Sequence, residues 1–221
     1  MSDPLALIYL VDDDQAVLKA LSRLLRSAGY EVLAFSSARE FMAHAPETPG
    51  CLVLDVSMPE IDGLELQGWL NRRRIPLPII FLSGHADVPT SVRAMKEGAV
   101  DFLTKPVDDF ELIRAIQEAS RWEREARAAR AYAQAVQTRL ATLTPREREV
   151  LEHVVSGKLN KQIAGDLGTT EKTIKVHRAR VMQKMQVESL AELVRIAERA
   201  GIGPVIPPPP RSPSPWLLPP P

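Results

Sequence analysis

Short apolar runs alternate with amphipathic stretches over roughly the first 120 residues of the chain. Between the runs, residues such as Val17, Leu21 and Leu24 recur at the spacing of one helix face. The runs are continuously apolar, which is typical of strands that are buried on both faces of a sheet. They lie at 7–11, 32–35, 52–54, 79–82 and 101–103. We therefore predict an α/β domain over residues 1–120, with a doubly wound, five-stranded parallel sheet of flavodoxin-like order 2-1-3-4-5.

A helix that begins near Asp108 has no obvious stop signal before residue 142. It carries a seam with alternating spacings of four and three residues, which consists of Trp122, Ala126, Ala129, Ala133, Val136 and Leu140. This spacing is typical of a coiled coil, so the helix is predicted either to pair with a second copy or, because alanine seams pack weakly, to remain a solvated single helix. In both interpretations residues 121–142 form a long helical linker.

A separate all-α domain is predicted over residues 143–202. Thr144 is a plausible N-cap, Pro145 occupies the first helical position, and Glu147 completes a capping box. Glycines punctuate the pattern that follows and separate four short helices at about 146–155, 160–167, 171–185 and 190–200. The proline-rich segment 203–221 cannot form a core, and we predict a disordered or polyproline II tail, with a PxxP-type ligand role as the alternative.

Composition and charge limit the number of domains, the kind of partner and the compartment, but they do not identify the function. The 221 residues suit two domains, and 28 basic residues balance 28 acidic ones. Acidic residues lie early in the chain, whereas 158–184 is basic, so we expect only the second half to meet an anionic partner. The lone Cys51 lies in an apolar run and is interpreted as a core residue in a reducing compartment. The absence of a membrane-length apolar stretch and of a signal-peptide pattern predicts a cytoplasmic protein.

Chemically distinctive residues follow the predicted strands. Asp12 and Asp13 follow the first strand, Asp55 the third, Ser83 the fourth and Lys105 the fifth. Because parallel strands of such a sheet end at one edge, these side chains are predicted to converge in one pocket. Crowded carboxylates need a cation, and an all-oxygen shell favours Mg²⁺. The predicted ligands are Asp12 (directly or through water), Asp13, Asp55 and the main-chain carbonyl of Ser57.

An aspartate beside Mg²⁺ can act as a nucleophile towards phosphorus and form an aspartyl phosphate. Lys105 would then bind phosphoryl oxygens through its ammonium group, the Ser83 hydroxyl would donate to another oxygen, and Gly84 would leave room for the group to arrive. Phosphatases with an aspartate nucleophile carry a second aspartate two residues later, where this chain has Ser57. We therefore expect no enzyme activity beyond slow self-dephosphorylation.

Residues 5–120 resemble the receiver domain of bacterial two-component response regulators. The resemblance is carried by Val-Asp-Asp-Asp at 11–14, Leu-Asp-Val-Ser-Met-Pro at 54–59, Asp-Gly at 62–63, Ser-Gly-His at 83–85 and Thr-Lys-Pro at 104–106. The segments 84–89 and 95–102 are similar to the FixJ-like branch. The resemblance implies that Asp55 is the phosphoacceptor, that a sensor histidine kinase is the donor, and that the Lys105–Pro106 peptide is cis. It also implies that Ser83 and Phe102 move together as a switch on phosphorylation.

This switch is predicted to act on the surface between the helix near 88–97 and the strand near 101–104. An apolar patch there would contain Val88, Val92, Met95 and Val107. If these four residues are exposed, a symmetric homodimer formed on phosphorylation is the natural result. The alternative is that they are core residues.

Residues 160–177 have the layout of a helix-turn-helix. Ile163, Ala164, Leu167, Ile174 and Val181 are predicted to lie inward. The second helix begins behind Thr170 and would present Lys172, Thr173, Lys175, Val176 and Ala179 to a major groove. Phosphate contacts are predicted for Asn160, Lys161, His177, Arg178, Arg180 and Lys184, although His177 has the alternative of a packed core histidine.

Residues 143–200 resemble the LuxR-type effector domain of the NarL/FixJ family, through Leu-Thr-Pro-Arg-Glu at 143–147, Asn-Lys-Gln-Ile-Ala at 160–164 and Thr-Ile-Lys-Val-His-Arg at 173–178. Ala179 departs from relatives that have a basic residue there. The two resemblances together imply a phosphorylation-controlled transcription regulator, expected to be an activator that works with RNA polymerase. The alternative output, protein or RNA binding, is disfavoured for RNA because 143–200 contains no Phe, Tyr or Trp that could form a stacking platform for bases.

Overall fold

The computed structural model describes residues 7–44, 46, 48–84 and 88–202. The chain divides between Ala128 and Ala129 into two compact units, and each is considered by itself below. The predicted tail at 203–221 and His85 of the Ser-Gly-His motif lie outside the described residues.

The first unit contains a five-stranded sheet of order β2-β1-β3-β4-β5. The strands are β1 (Leu7–Val11), β2 (Glu31–Phe35), β3 (Gly50–Asp55), β4 (Ile79–Ser83) and β5 (Asp101–Thr104). All neighbouring strands are parallel, and the central pair β1 and β3 aligns Leu7 with Gly50 and Val11 with Leu54. Both β3 and β4 are buried along their whole length, as expected for apolar runs covered on two faces. The predicted sheet and strand order are confirmed.

Two helical layers cover this sheet. The helices are α1 (Gln15–Ser27), α2 (Ala38–His44), α3 (Gly63–Arg73), α4 (Val88–Lys96) and α5 (Asp109–Ala141). Leu21 and Leu25 of α1 share a core with Ile116 of α5. On the other face, Phe41 of α2 and Leu66 of α3 pack in a second core with Ala94 of α4, together with alternate residues of the strands. This double cover leaves the carboxyl ends of the strands as the place for a site.

The second unit is a small all-α domain with the helices α6 (Pro145–Val155), α7 (Asn160–Asp166), α8 (Glu171–Met185) and α9 (Leu190–Arg199). The capping box predicted at the start of α6 is present: Thr144 Oγ1 accepts from the Glu147 amide, and the Glu147 carboxylate accepts from the Thr144 amide. Helix α8 begins behind Thr170, whose hydroxyl accepts from the Thr173 amide. The four helices enclose one apolar core.

Helix α5 is 33 residues long and continues through the predicted linker. The predicted seam behaves differently along its length. Ala126, Ala129 and Ala133 are exposed, whereas Val136 and Leu140 are buried in the core of the second unit. The prediction of a continuous intermolecular or solvated seam is therefore wrong for Val136 and Leu140, because these side chains are larger than alanine and pack inside their own domain.

Candidate phosphoacceptor pocket and DNA-binding surface

Three carboxylates meet where β1 and β3 end. Asp12 follows the last residue of β1, and Asp55 is the last residue of β3, so the parallel register brings both to one edge of the sheet. Oxygen atoms of Asp12, Asp13 and Asp55 lie within 4.8 Å of one another. Asp12 and Asp55 are buried, whereas Asp13 is exposed. The predicted convergence of these residues is thus present in the structure.

Lys105 provides a positive charge in this pocket. Its Nζ donates to Asp12 Oδ2 at 2.6 Å and lies 2.8 Å from Asp55 Oδ1. The backbone places it there, since the Lys105 amide donates to the Ser83 carbonyl at 2.8 Å and the Lys105–Pro106 peptide is cis, as the resemblance implied. The second Asp55 oxygen accepts from the Ser57 amide at 3.1 Å.

The electrostatics follow from crowding and burial. Burial raises the pKa of Asp55, the hydrogen bond and charge of Lys105 oppose that rise, and the charges of Asp12 and Asp13 add to it. Burial alone would lower the pKa of Lys105, but its hydrogen bonds to Asp12 and Asp55 outweigh this effect, and the Lys105 pKa is raised. The pocket therefore holds more negative than positive charge and favours a further cation.

The donor set fits Mg²⁺. The three side chains offer only oxygen atoms, and Lys105 is the one cation bonded to them among the described residues. Mg²⁺ prefers one or two carboxylates together with waters, and the exposed Asp13 lies on the side open to solvent. The Ser57 side chain is exposed, and the predicted use of its main-chain carbonyl as a ligand stays a prediction.

Other residues of the predicted switch lie around the pocket. Ser83 ends β4 and is buried. Phe102 on β5 is half-buried, with its ring centroid 6.1 Å from that of Phe81. Gly84 has open space around it, since an added Cβ would meet no described atom within 4 Å. This space is consistent with the predicted room for a phosphoryl group.

Two supporting residues were missed at the sequence level as functional elements. A Cβ at Gly63 would collide with the Asp55 carbonyl oxygen, and the Gly63 amide donates to the Val56 carbonyl at 2.9 Å, so only glycine allows α3 to begin this close to Asp55. Asp14 caps α1 by accepting from the Ala16 amide, and its own amide donates to Asp12 Oδ1. The Asp62-Gly63 pair and the three consecutive aspartates were the available signals.

The predicted dimer surface is largely exposed. The exposed fractions of Val88, Val92 and Met95 are 73%, 44% and 45%. Val107 is half-buried against the core between α1 and α5, and the exposed-patch prediction does not fit it. Phe110 on α5 is 88% exposed and was not predicted. Its position within the first turn of a helix gave no periodic signal.

In the second unit, the helix-turn-helix has the predicted inner and outer faces. Ile163, Ala164, Ile174 and Val181 are buried, and Leu167 is half-buried against the same core. The outer face of α8 exposes Lys172, Thr173, Lys175, Val176 and Ala179. Lys161 and Arg180 are also exposed and, like Thr170 at the start of α8, stay predicted DNA contacts.

Three predicted phosphate contacts have internal partners or buried atoms. The Arg178 guanidinium donates to Asn160 Oδ1 at 2.8 Å, so these two residues form one unit at the start of α7. His177 is half-buried, and its Nδ1 is buried without a hydrogen-bond partner in the described part of the chain, which favours the packed alternative for this residue.

Lys184 is engaged inside the domain. Its ammonium donates to Glu147 Oε2 at 2.6 Å and to the Thr142 carbonyl at 3.0 Å. The Glu147 side chain is 3% exposed, and that of Lys184 is 34% exposed. The structure therefore gives Lys184 an ion pair within the domain, and its phosphate contact stays a prediction.

Comparisons with known proteins agree with both halves of this description. Residues 8–117 match the response regulator receiver domain, and residues 141–197 match the bacterial regulatory proteins of the luxR family. The chain is 46% identical over 198 residues to nodulation protein W of Bradyrhizobium diazoefficiens, covering 89% of this chain and 87% of that protein. It is also 46% identical over 200 residues to the response regulator protein TodT of Pseudomonas putida, covering 90% of this chain and 88% of TodT.

Solved structures give the same result. The response regulator StyR is 45% identical, with a TM-score of 0.81 over 87% of this chain and 98% of that chain. Full-length FixJ from B. japonicum is 46% identical, with a TM-score of 0.56 over 89% and 97%.

A receiver domain followed by a LuxR-type DNA-binding domain defines a two-component response regulator. Within that class, the chain belongs to the NarL/FixJ family. Its relatives are transcription regulators rather than enzymes, and the two domains imply a histidine kinase and DNA as partners. Receiver domains bind Mg²⁺ through acidic residues of the kind found here. No helix in the described ranges is both long and apolar enough to cross a membrane.

Proposed function

We propose that Asp55 accepts a phosphoryl group from a sensor histidine kinase and that phosphorylation promotes dimerisation and sequence-specific DNA binding, which activates transcription. The observation that carries the proposal is the pocket in which Asp55 lies among Asp12, Asp13 and Lys105, in a chain that also carries a LuxR-type domain. Folding stability alone does not explain this arrangement, because carboxylates that are crowded together in a partly buried pocket repel one another.

In the transfer, a carboxylate oxygen of Asp55 forms a bond to phosphorus while the bond from phosphorus to the kinase histidine nitrogen breaks, and the imidazole leaves with the bonding pair. Asp12, Asp13 and Asp55, with the Ser57 carbonyl, would hold Mg²⁺, which supplies positive charge to the phosphoryl oxygens. Lys105 already contacts Asp55 Oδ1 and needs only a small displacement to bind a phosphoryl oxygen. Without an acid at position 57, hydrolysis of the acyl phosphate is slow self-dephosphorylation by water.

Ser83 and Phe102 would change position in response to the phosphoryl group. A phosphoryl oxygen accepts a hydrogen bond from the Ser83 hydroxyl and draws it towards the pocket. Phe102, whose half-buried ring has its centroid 6.1 Å from that of Phe81, then turns into the space that the Ser83 hydroxyl vacates. The outer surface of β5 and α4 changes as a result, and Val88, Val92 and Met95 become buried between two copies.

A two-fold dimer places two copies of α8 on DNA. Lys172, Thr173, Lys175 and Val176 would contact base edges, while Lys161, Arg180 and the Arg178–Asn160 unit would contact phosphates. The chain would then activate transcription through contact with RNA polymerase, as expected of a regulator of this family.

The test is the mass of the full chain in solution, measured by light scattering after size exclusion, with and without acetyl phosphate and Mg²⁺. We expect a monomer that becomes a dimer, and intact-mass spectrometry should show one added phosphoryl group. Asp55→Asn should remain a monomer without the added mass, whereas Asp109→Asn, an exposed aspartate at the start of α5, should behave as the wild type. Phosphate retained on Asp55→Asn would refute the assignment of the phosphoacceptor.

A further inference from the structure

Helix α4 is weakly embedded in its domain. Of its nine residues, all of which the structure describes, only Ala94 is buried. Val88 and Val92 near its start are exposed, as is Met95 in its last turn. A helix with so little buried surface is held mainly by whatever polar contacts fix its ends.

The C-terminal end of α4 has such contacts, and they come from two amide side chains of α3. Gln67 Nε2 donates to the Ala94 carbonyl at 3.1 Å, and Asn71 Nδ2 donates to the Glu97 carbonyl at 3.1 Å. Gln67 and Asn71 are four residues apart, so they project from one face of α3. They bind carbonyl groups at the end of α4, where the regular i to i+4 hydrogen bonds of the helix stop.

The local chain reinforces this end of the helix. The Ala99 amide also donates to the Ala94 carbonyl, and the Gly98 amide donates to the Met95 carbonyl, with Gly98 at a φ of +97°. This arrangement closes the helix in the manner of a glycine C-cap. The end of α4 nearest β5 is therefore fixed twice, by its own cap and by α3.

Gln67 carries a second feature. Its side chain is 1% exposed, and its Oε1 is buried without a hydrogen-bond partner in the ranges that the structure describes. A buried acceptor without a donor is unfavourable, so the Gln67 amide is held here at a cost by its other contact, the bond from Nε2 to the Ala94 carbonyl.

We propose that Gln67 and Asn71 are positioning residues that act as a pivot for α4: they hold its C-terminal end on α3, so that phosphorylation displaces only its N-terminal end. The N-terminal end follows Ser83 closely in the chain and carries Val88 and Val92 of the dimer surface. A helix fixed at one end converts a small displacement near Ser83 into a defined rotation of those two valines. This inference rests on the proposed phosphorylation of Asp55, and it adds the residues that give the motion a direction.

Hydrogen exchange of the full chain tests the pivot without relying on dimerisation. With acetyl phosphate and Mg²⁺, the wild type should change its exchange in residues 88–93, while the amides of Glu97, Gly98 and Ala99 keep their protection. In Gln67→Leu/Asn71→Leu, protection of these three amides should fall about tenfold or more, with or without the phosphodonor. Arg72→Ala, an exposed change on the same helix, should leave them unchanged. Wild-type exchange that increases equally over 88–99 on phosphorylation would overturn the pivot.

The dimer dissociation constant adds a readout that a merely structural role would not move. The double variant should accept phosphate on Asp55 to the wild-type extent, yet its phosphorylated form should dimerise about tenfold more weakly, because the valines lose their defined position. Asn71→Leu alone changes an exposed side chain and guards against a misfolded Gln67 variant. It should weaken the dimer by a smaller factor. Phosphorylated variants that dimerise as tightly as the wild type would contradict the pivot. A wild type that takes phosphate but stays monomeric would contradict the proposed function, and the exchange experiment would then decide on the pivot.

Discussion

Replacing Glu147 by glutamine should destabilise the DNA-binding domain by removing one charge and no contact. Glu147 Oε2 accepts from both the Thr144 amide and the Lys184 ammonium. A glutamine carbonyl can accept the same two hydrogen bonds, so the capping box is kept. The change therefore isolates the attraction between the Glu147 carboxylate and Lys184.

The magnitude follows from the pKa of Glu147. The hydrogen bond from Lys184, with that from the Thr144 backbone, lowers this pKa from 4.5 to about 2. A change of that size corresponds to roughly 3 kcal/mol of folding free energy. Water screens the pair because the Lys184 side chain is 34% exposed, so we expect Glu147→Gln to cost about 1–2 kcal/mol at pH 7.

The sign of the pH dependence is set by the direction of the shift. Since the folded-state pKa is below the unfolded one, the carboxylate stabilises the domain above pH 4.5, and this contribution is lost as the pH falls towards about 2. The difference between wild type and Glu147→Gln should therefore shrink to about half its pH 7 value or less by pH 3.

Urea unfolding of the full chain, followed by the methyl NMR signals of Val150 and Leu151, reports on this domain because both residues are buried in its core. Glu149→Gln is the matched control, because Glu149 forms an exposed ion pair with Arg146 on the same helix and should contribute less than about 0.5 kcal/mol. Lys184→Met leaves the buried carboxylate without its partner and should cost more than Glu147→Gln, about 3 kcal/mol. Equal losses for Glu147→Gln and Glu149→Gln, or a Glu147→Gln difference that is unchanged between pH 7 and pH 3, would refute the reasoning.

Three further predictions concern the pocket, the reading helix and the dimer surface. Because burial raises the pKa of Asp55, its ionised form opposes folding as the pH rises through that pKa. Asp55→Asn should therefore raise the urea midpoint at pH 7 without Mg²⁺, and millimolar Mg²⁺ should stabilise the wild type more than the variant. An unchanged midpoint would show that the charge is compensated. Lys175→Ala should weaken binding to an operator selected from random DNA by about tenfold in a fluorescence anisotropy titration, and unchanged affinity would move the reading face elsewhere on α8. Val88→Asp should leave Asp55 phosphorylation intact but weaken the phosphorylated dimer by about tenfold in sedimentation equilibrium, and wild-type association would exclude α4 from the interface.

The sheet and the pocket were the most predictable parts of the molecule. Continuously apolar runs have few alternatives to buried parallel strands, and the residues that follow such strands share one edge. This geometry alone brings Asp55 and Lys105 together across 50 positions of sequence. Burial of the core of α6–α9 followed equally from helical periodicity and caps.

Sequence reasoning missed contacts where a side chain had two possible partners. Val136 and Leu140 continue a heptad in sequence, but their own domain offers a nearer apolar surface than a second copy does. Lys184 is basic and lies in the last turn of α8, the predicted DNA-binding helix, yet Glu147, 37 positions earlier, is buried beside it. The spacing of residues along the sequence does not show which distant residues pair in the fold. The same holds for Gln67, whose bond to Ala94 spans two different elements.

The burial of helix α5 in the first domain has a consequence for the order of folding. Strand β1 is synthesised before the other strands, yet its face towards α1 is covered in part by Leu112, Ala115 and Ile116 of α5. A nascent chain that stops before residue 109 therefore exposes an apolar sheet face, and the receiver cannot complete its core until the helix emerges. Pairings such as Leu7 with Gly50 also close long loops, which makes this domain the slower folder, whereas the contacts among α6–α9 are local. We expect the all-α domain to reach its native contacts quickly, and the receiver domain, although synthesised before it, to set the time that the two domains together need.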